Sequence, residues 1–133
     1  MMKAGKAVEI RGLVAGYYVA RGFRSIFKKF QPVLQDITLD IRTGERVAVI
    51  GDSGAGKTTL IKVLLGLLRP IRGTVRVLGM DPFAKGRRRI EYVKKIGYVP
   101  QDPGRSLNPR LRVRKILMEP LEALGIGEEE AFR

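Results

Sequence analysis

Apolar and polar positions alternate along two stretches near the N-terminus, and this pattern predicts two β-strands. Residues 7–15 alternate as a half-buried strand does, and residues 32–41 follow the same period. The predicted buried face of the second stretch carries Val33, Gln35, Ile37, Leu39 and Ile41. Turn-forming residues follow at 43–45. We therefore expect the two strands to pair antiparallel.

Two further stretches, "RVAVI" (46–50) and "IGYVP" (96–100), are apolar without clear alternation. Such runs are typical of strands that are covered on both faces, as in a parallel sheet. A helix is predicted after the first of them, because leucine and isoleucine recur at helical spacing from Leu60. The helix should end near Arg69, because Pro70 disfavours helical backbone at the residue before it.

The rest of the chain alternates short strands and helices. The pattern predicts a strand at 73–79, a basic helix at 87–97, a helix at 113–125 broken or kinked by Pro120, and a first helical turn near 127–133. The fold class is therefore α/β, with a parallel sheet core and an antiparallel β subdomain. Since only two strands are predicted to be fully buried, we expect the front portion of a larger domain.

The loop between the first buried strand and its helix, "GDSGAGKT" (51–58), fits the pattern G-x-x-x-x-G-K-[ST]. Glycines allow backbone angles that a side chain would forbid, so the loop can turn its N–H groups toward a phosphate chain. The helix N-terminus adds its positive dipole end. Lys57 would reach the β- and γ-phosphates, and the Thr58 hydroxyl would ligate Mg²⁺.

Composition removes several kinds of chemistry. The sequence has no cysteine and no histidine, which excludes disulfides, thiolate chemistry and histidine catalysis within this chain. The N-terminus shows no signal-peptide pattern, and no apolar run reaches the length of a membrane span. The net charge of +13 is compatible with nucleic acid, anionic lipid or phosphate ligands.

Four stretches, in order, resemble the nucleotide-binding domain of ATP-binding cassette (ABC) transporters. They are "LVAGY" (13–17), "GDSGAGKTT" (51–59), "LLGLLRPIRGTVRVLG" (64–79) and "IGYVPQDP" (96–103). The resemblance implies a P-loop NTPase-type sheet core. It also implies that residues 1–133 form the N-terminal portion of an ABC ATPase domain, with a helical subdomain starting near residue 104. The family's LSGGQ-type signature, Walker B strand and switch histidine are absent from the sequence.

The resemblance also implies a set of site residues for ATP and Mg²⁺. Tyr17 would stack on adenine and is preferred over Tyr18 because of its spacing after Leu13, although either ring could instead pack on the core. Gln101 would meet Mg²⁺ or the attacking water, with Thr58 as the other metal ligand. Asp52 is expected to be tolerated rather than catalytic, because a carboxylate near phosphates is repelled. The expected nucleotide-binding residues are Tyr17, Gly51, Asp52, Ser53, Gly54, Ala55, Gly56, Lys57, Thr58, Thr59 and Gln101.

The segment "SLNPR" (106–110) and the later "EPL" (119–121) resemble the ATPases of oligopeptide and dipeptide importers. By resemblance, the protein would couple ATP hydrolysis to the import of a solute, and a peptide is the expected cargo. It would work with a second ABC ATPase subunit and transmembrane permease subunits, at the cytoplasmic face of the cell membrane. The chain by itself is expected to bind ATP without hydrolysing it; Lys57 and Gln101 would contribute to a catalytic site that is not complete here.

Two features leave other interpretations open. The stretch "RGFRSIFKKF" (21–30) could be an amphipathic helix that contacts anionic lipid, but its aromatic residues are expected to pack beside the strands. The basic stretches at 85–89 and 110–115 lack a stacking platform for bases, which favours a solvated helix face over a nucleic-acid site. The competing hypothesis is a basic module that binds nucleotide or nucleic acid without hydrolysis.

Overall fold

The computed structural model describes residues 5–20 and 28–131. The chain forms two compact units, residues 1–92 and residues 93–133, and each is described by itself. The first unit contains a three-stranded antiparallel sheet with two helices, and the second is helical. Among the described residues, no helix has the length and apolar character that a membrane crossing requires.

The sheet is built on a long hairpin. Strand β1 (Lys6–Ala20) pairs antiparallel with β2 (Lys28–Arg42), and the ladder runs out to the pair Ala20 and Lys28. Strand β3 (Arg72–Val77) lies on the other side of β1, so the strand order is β2-β1-β3. The predicted strands at 7–15, 32–41 and 73–79 are confirmed, as is the antiparallel pairing of the first two.

Two bulges change which residues of the hairpin are buried. Gly12 in β1 has φ +54° and Asp36 in β2 has φ +53°, and the register shifts beside both. Each bulge inserts one extra residue and so moves the following side chains to the other face. The predicted buried face of β2 is therefore wrong at its start, where Leu34 is buried and Gln35 is exposed.

Helix α1 (Lys57–Leu64) covers the sheet and ends earlier than predicted. The amide of Leu67 donates to the carbonyl of Lys62, and that of Gly66 donates to Val63. These two bonds form a Schellman motif, in which Gly66 adopts φ +69°. Gly66 ends the helix by left-handed capping, before the effect of Pro70 on Arg69 can matter.

Helix α2 (Arg87–Val93) holds the carbonyl end of α1 in place. The buried Tyr92 hydroxyl donates to the Leu64 carbonyl, and the Arg89 guanidinium donates to the carbonyls of Leu65, at 3.0 Å, and Pro82, at 2.7 Å. Carbonyls in the last turn of a helix lack partners inside that helix, so these donors satisfy them. The predicted solvated face at 85–89 is confirmed for the exposed Lys85, Arg87 and Arg88, and Arg89 departs from it by holding these carbonyls.

The core of the first unit lies between the sheet and α1. Its members are apolar side chains of the three strands and of the helix that are almost fully removed from water. They are Ile10, Leu13, Ala15, Leu34, Leu60, Val63, Val75 and Val77.

The two predicted buried strands are not formed. Residues 46–50 and 96–100 carry no strand ladder, and Ile50 and Val99 are 91% and 81% exposed. An extended segment becomes a strand only when a neighbour takes up its N–H and C=O groups. Neither segment has such a neighbour among the described residues, so the predicted parallel sheet core does not appear in this structure.

The second unit contains α3 (Pro103–Ser106), α4 (Val113–Ala123) and α5 (Glu128–Ala131). The helices predicted at 113–125 and near 127–133 are confirmed. Pro120 lies inside α4 without ending it, so of the predicted break or kink the break is wrong. Arg114 and Glu128 form an ion pair at 2.6 Å that joins α4 to α5.

The helical interpretation of 21–30 is wrong where the structure describes that stretch. Lys28, Lys29 and Phe30 belong to β2, and the Phe30 ring meets Tyr18 across the hairpin, edge to face, at 5.3 Å between centroids. This contact agrees with aromatic packing beside the strands. The remaining part of the stretch, residues 21–27, lies outside the described residues.

We predict that Gly66→Ala destabilises the protein far more than Gly79→Ala. Both glycines have positive φ, so each alanine costs about 1–2 kcal/mol in backbone strain. A Cβ at Gly66 would also lie 2.1 Å from the Pro82 carbonyl oxygen, whereas nothing lies within 4 Å of one at Gly79. Urea denaturation measures both losses; equal losses would contradict the importance of the close contact between Gly66 and Pro82.

We also predict a contribution to stability from Asp40 that is lost in acid. Hydrogen bonds from Arg11, at 2.8 Å, and then from Lys6 lower the pKa of Asp40 to about 2. Because this folded-state pKa lies below the usual value of about 3.9, the stabilisation is complete above about pH 4 and is lost as pH falls toward 2. Urea midpoints of Asp40→Asn should be lower at pH 7 and should converge with the parent near pH 2.

Candidate functional site

The glycine loop, residues 51–56, runs directly into α1. Gly54 and Gly56 have φ +84° and +92°, values that other residues rarely adopt. Gly56 is also the N-cap of α1, and no side chain caps this helix end. The loop sequence therefore forms a backbone turn that leads directly into α1. The first N–H groups of that helix have no side chain that caps them.

The loop is seated on the sheet through Gly56. A Cβ at this position would lie 2.9 Å from Leu34 Cδ2 and 3.1 Å from Val33 Cγ1. The backbone of the loop thus packs closely on β2, and a Cβ there would require the side chains of Leu34 and Val33 to shift. This contact fixes the start of α1 against the hairpin.

Most N–H groups of the loop and the first turn have no acceptor among the described residues. Ala55 donates to Asp52 at 3.2 Å, and Leu60 donates to Gly56 at 2.9 Å. The amides without such an acceptor belong to Gly51, Asp52, Ser53, Gly54, Gly56, Lys57, Thr58 and Thr59. N–H groups at a helix N-terminus attract anions, so this backbone fits a phosphate group.

Lys57 lies folded over its own loop. Its Nζ donates to the carbonyl oxygens of Gly51, at 2.7 Å, and Asp52, at 2.6 Å. The ammonium therefore sits at the loop, where it adds a full positive charge to the partial charges of the amides. A phosphate could share or take over these hydrogen bonds, since an ammonium has three donors.

Tyr17 lies beside the same helix. Its hydroxyl and the Thr59 hydroxyl share a hydrogen bond at 3.5 Å, and the Lys62 Nζ lies 5.6 Å from the ring centroid. The bond to Thr59 lowers the pKa of Tyr17; partial desolvation opposes this shift, and the charge of Lys62 adds to it. Tyr18 instead points to Phe30 and is 63% exposed.

Of the predicted site residues, Tyr17 and residues 51–59 occur together in the first unit. Thr58 is exposed, and Asp52 contributes its backbone carbonyl to the loop. Gln101 belongs to the second unit, at an exposed position just before α3. Its place in a nucleotide site, and its role with Thr58 in binding Mg²⁺, stay predictions.

Sequence reasoning missed Lys62. The residue lies on α1 beyond the loop motif, and its aromatic neighbour is far away in sequence on β1. No local pattern links the two positions, because only the packing of α1 against the hairpin brings them together. The spacing of Thr59 and Lys62, three residues apart on one helix, is the single sequence signal that they share a face.

The residues present suit a magnesium–nucleotide pair better than a metal alone. Among residues 5–20 and 28–131, no group of three or more aspartate, glutamate, cysteine or histidine side chains could hold an ion. Mg²⁺ is commonly held by few protein ligands together with phosphate oxygens and water. The exposed Thr58 hydroxyl at the start of α1 fits the part of such a ligand.

Comparison with known proteins agrees with this geometry. Residues 34–131 match the family described as ABC transporter. The oligopeptide transport ATP-binding proteins of Mycobacterium bovis and Mycobacterium tuberculosis are each 36% identical to the chain over 130 residues. That alignment covers 96% of this chain and 21% of each relative.

Solved structures are similar as well. An ATP-binding subunit of an ABC transporter matches with a TM-score of 0.69 and 31% identity, over 92% of this chain and 45% of that one. The fold is also shared with an ATP-binding cassette dimer in a post-hydrolysis state, bound to ADP and Pi. That match has a TM-score of 0.73 and 23% identity, over 93% of this chain and 52% of the other. These matches to solved structures confirm the predicted α/β fold class. The chain spans 21% of the length of these two mycobacterial relatives.

We predict that Gly56→Ala disrupts the loop more than Gly44→Ala disrupts the turn before it. Both positions have positive φ, but only a Cβ at Gly56 meets a neighbour, on β2. The expected result is a lower urea midpoint for Gly56→Ala and faster proteolysis within the loop. Indistinguishable midpoints and cleavage patterns would show that the contact between the loop and β2 is unimportant.

Proposed function

Because the chain belongs to the ABC transporter family, we propose that its glycine loop binds ATP within the ATPase subunit of a transporter. The observation that supports this most strongly is the loop itself. It presents the amides of the first turn of α1 without acceptors among the described residues, and Lys57 stands over its carbonyls. An anionic phosphate chain is the ligand that such a surface favours.

The positions of these groups suggest where each part of the nucleotide would bind. The phosphates would lie on the amides of the loop and α1, with Lys57 as the charged donor. The base would lie on Tyr17. This residue contacts α1 through Thr59, and α1 is the helix that the loop leads into. Thr58 would hold Mg²⁺, which supplies charge neutralisation on the phosphate oxygens.

The chemistry that these residues provide is electrostatic. Amides fixed by the loop and the Lys57 ammonium stabilise negative charge, and they need no rearrangement to do so. We propose that Gln101 orients the attacking water or contacts the metal. The sequence has no histidine and no LSGGQ-type segment. We therefore propose that these residues alone bind ATP without turning it over at an appreciable rate.

The transported solute is proposed from the relatives. The mycobacterial proteins are named for oligopeptide transport, and the chain carries "SLNPR" at 106–110. We propose peptide import, with a second ATPase subunit and membrane-spanning permease subunits as partners, at the cytoplasmic face of the membrane. Within this proposal residues 1–133 are the N-terminal portion of the ATPase domain, with its helical subdomain beginning near residue 104.

We predict that Lys57→Ala weakens ATP binding by about ten- to a hundredfold, because a charged hydrogen bond contributes about 1.5–3 kcal/mol. Isothermal titration calorimetry of the purified protein with Mg·ATP measures the change. Lys85→Ala, which removes the same charge from the loop before α2, should bind as the parent does.

A titration with duplex DNA or RNA tests the competing function. Salt-sensitive binding of nucleic acid that neither ATP nor Lys57→Ala changes would favour a basic nucleic-acid module. Equal ATP affinities for the parent and Lys57→Ala would refute the proposed phosphate site.

A further inference from the structure

The Tyr17 ring is attached to α1 at two points. Its hydroxyl shares a hydrogen bond with Thr59, and its face lies 5.6 Å from the Lys62 ammonium. Thr59 is buried, with 5% of its surface exposed, so its side chain is well fixed. Lys62 is exposed and comes from the next turn.

The same helix also begins the phosphate loop. Thr59 and Lys62 are three residues apart and therefore share one face of α1, while Lys57 and the uncovered amides stand at its first turn. The aromatic residue on β1 and the phosphate-binding backbone are thus joined through one short rigid element. Moving the ring would break both of its contacts with α1.

We propose that Lys62 is a positioning residue, which orients the Tyr17 ring to receive the base of a nucleotide, with the Thr59 hydroxyl as a second anchor. This inference rests on the proposed function, because it names the base end of the same site. The ammonium occupies one face of the ring, and the base takes the other. The ring is 38% exposed, so a ligand can still reach it.

The physical reason is preorganisation. An exposed aromatic ring loses rotational freedom when a ligand stacks on it, and that loss opposes binding. The contact between Lys62 and the ring already restricts this motion in the free protein. An exposed cation–π contact contributes on the order of 0.5–1 kcal/mol, which corresponds to a roughly two- to fivefold effect on the affinity for the base-bearing ligand.

The test compares two ligands that share a phosphate chain but differ in the base. Calorimetry gives the affinities of Mg·ATP and of magnesium tripolyphosphate for the parent, Lys62→Met and Lys62→Arg. Lys62→Met should weaken ATP about two- to fivefold and leave tripolyphosphate unchanged. Lys62→Arg should keep the ATP affinity, because arginine also binds aromatic faces. Lys85→Met controls for the loss of one positive charge.

A double-mutant cycle assigns the effect to the ring. In a Tyr17→Ala background, Lys62→Met should cause no further loss of ATP affinity, because the partner of the ammonium is gone. A loss that persists without Tyr17, or one that is equal for ATP and tripolyphosphate, would show that Lys62 acts only as a general positive charge and would overturn the inference.

A spectroscopic signature checks the contact directly. The phenolate absorbance of Tyr17, assigned by difference from Tyr17→Phe, should titrate at higher pH in Lys62→Met than in the parent, because the ammonium lowers the pKa of this tyrosine. An unchanged titration would mean that the two groups do not interact. If the parent protein binds tripolyphosphate and ATP with equal affinity, this inference fails and the phosphate site stands; if it binds neither, the proposed function fails as well.

Discussion

The site depends on one close contact, the approach of Gly56 to β2. With no side chain at this position, the loop backbone rests on Val33 and Leu34, where a Cβ would come within 2.9 Å of Leu34. The same residue adopts φ +92° and caps α1. One glycine therefore both allows the close approach of the loop to β2 and begins the helix whose first amides have no acceptor among the described residues. The rest of the candidate site is arranged around that helix start.

The site depends, second, on the hairpin of β1 and β2, because its bulges decide which side chains of each strand face the core. The extra residues at Gly12 and Asp36 shift the register, so Leu34 turns into the core. The pairing of β1 with β2 also continues beyond the last pair of β1 with β3. Tyr17 lies in that extended part and meets α1 through Thr59 and Lys62. The aromatic residue and the phosphate loop, far apart in sequence, become neighbours because both pack against the same helix.

A different constraint governs residues 46–50 and 96–100. Their composition suits strands covered on both faces, yet Ile50 and Val99 are exposed and neither segment has a ladder among the described residues. Strand formation needs a partner for the backbone as well as apolar side chains. The sheet that the structure contains is the antiparallel one, because its three strands provide partners for each other.

Local sequence determined the elements whose causes are local: the loop glycines, the helix that follows Lys57, the alternating hairpin and β3 could all be predicted from composition and spacing. The tertiary structure decided what depends on partners that are remote in sequence. The exposed position of Gln35, the missing ladders at 46–50 and 96–100 and the contact of Lys62 with Tyr17 each depend on whether distant segments pack together or share hydrogen bonds. Spacing along the chain carries no record of such contacts, since they arise only when the elements meet.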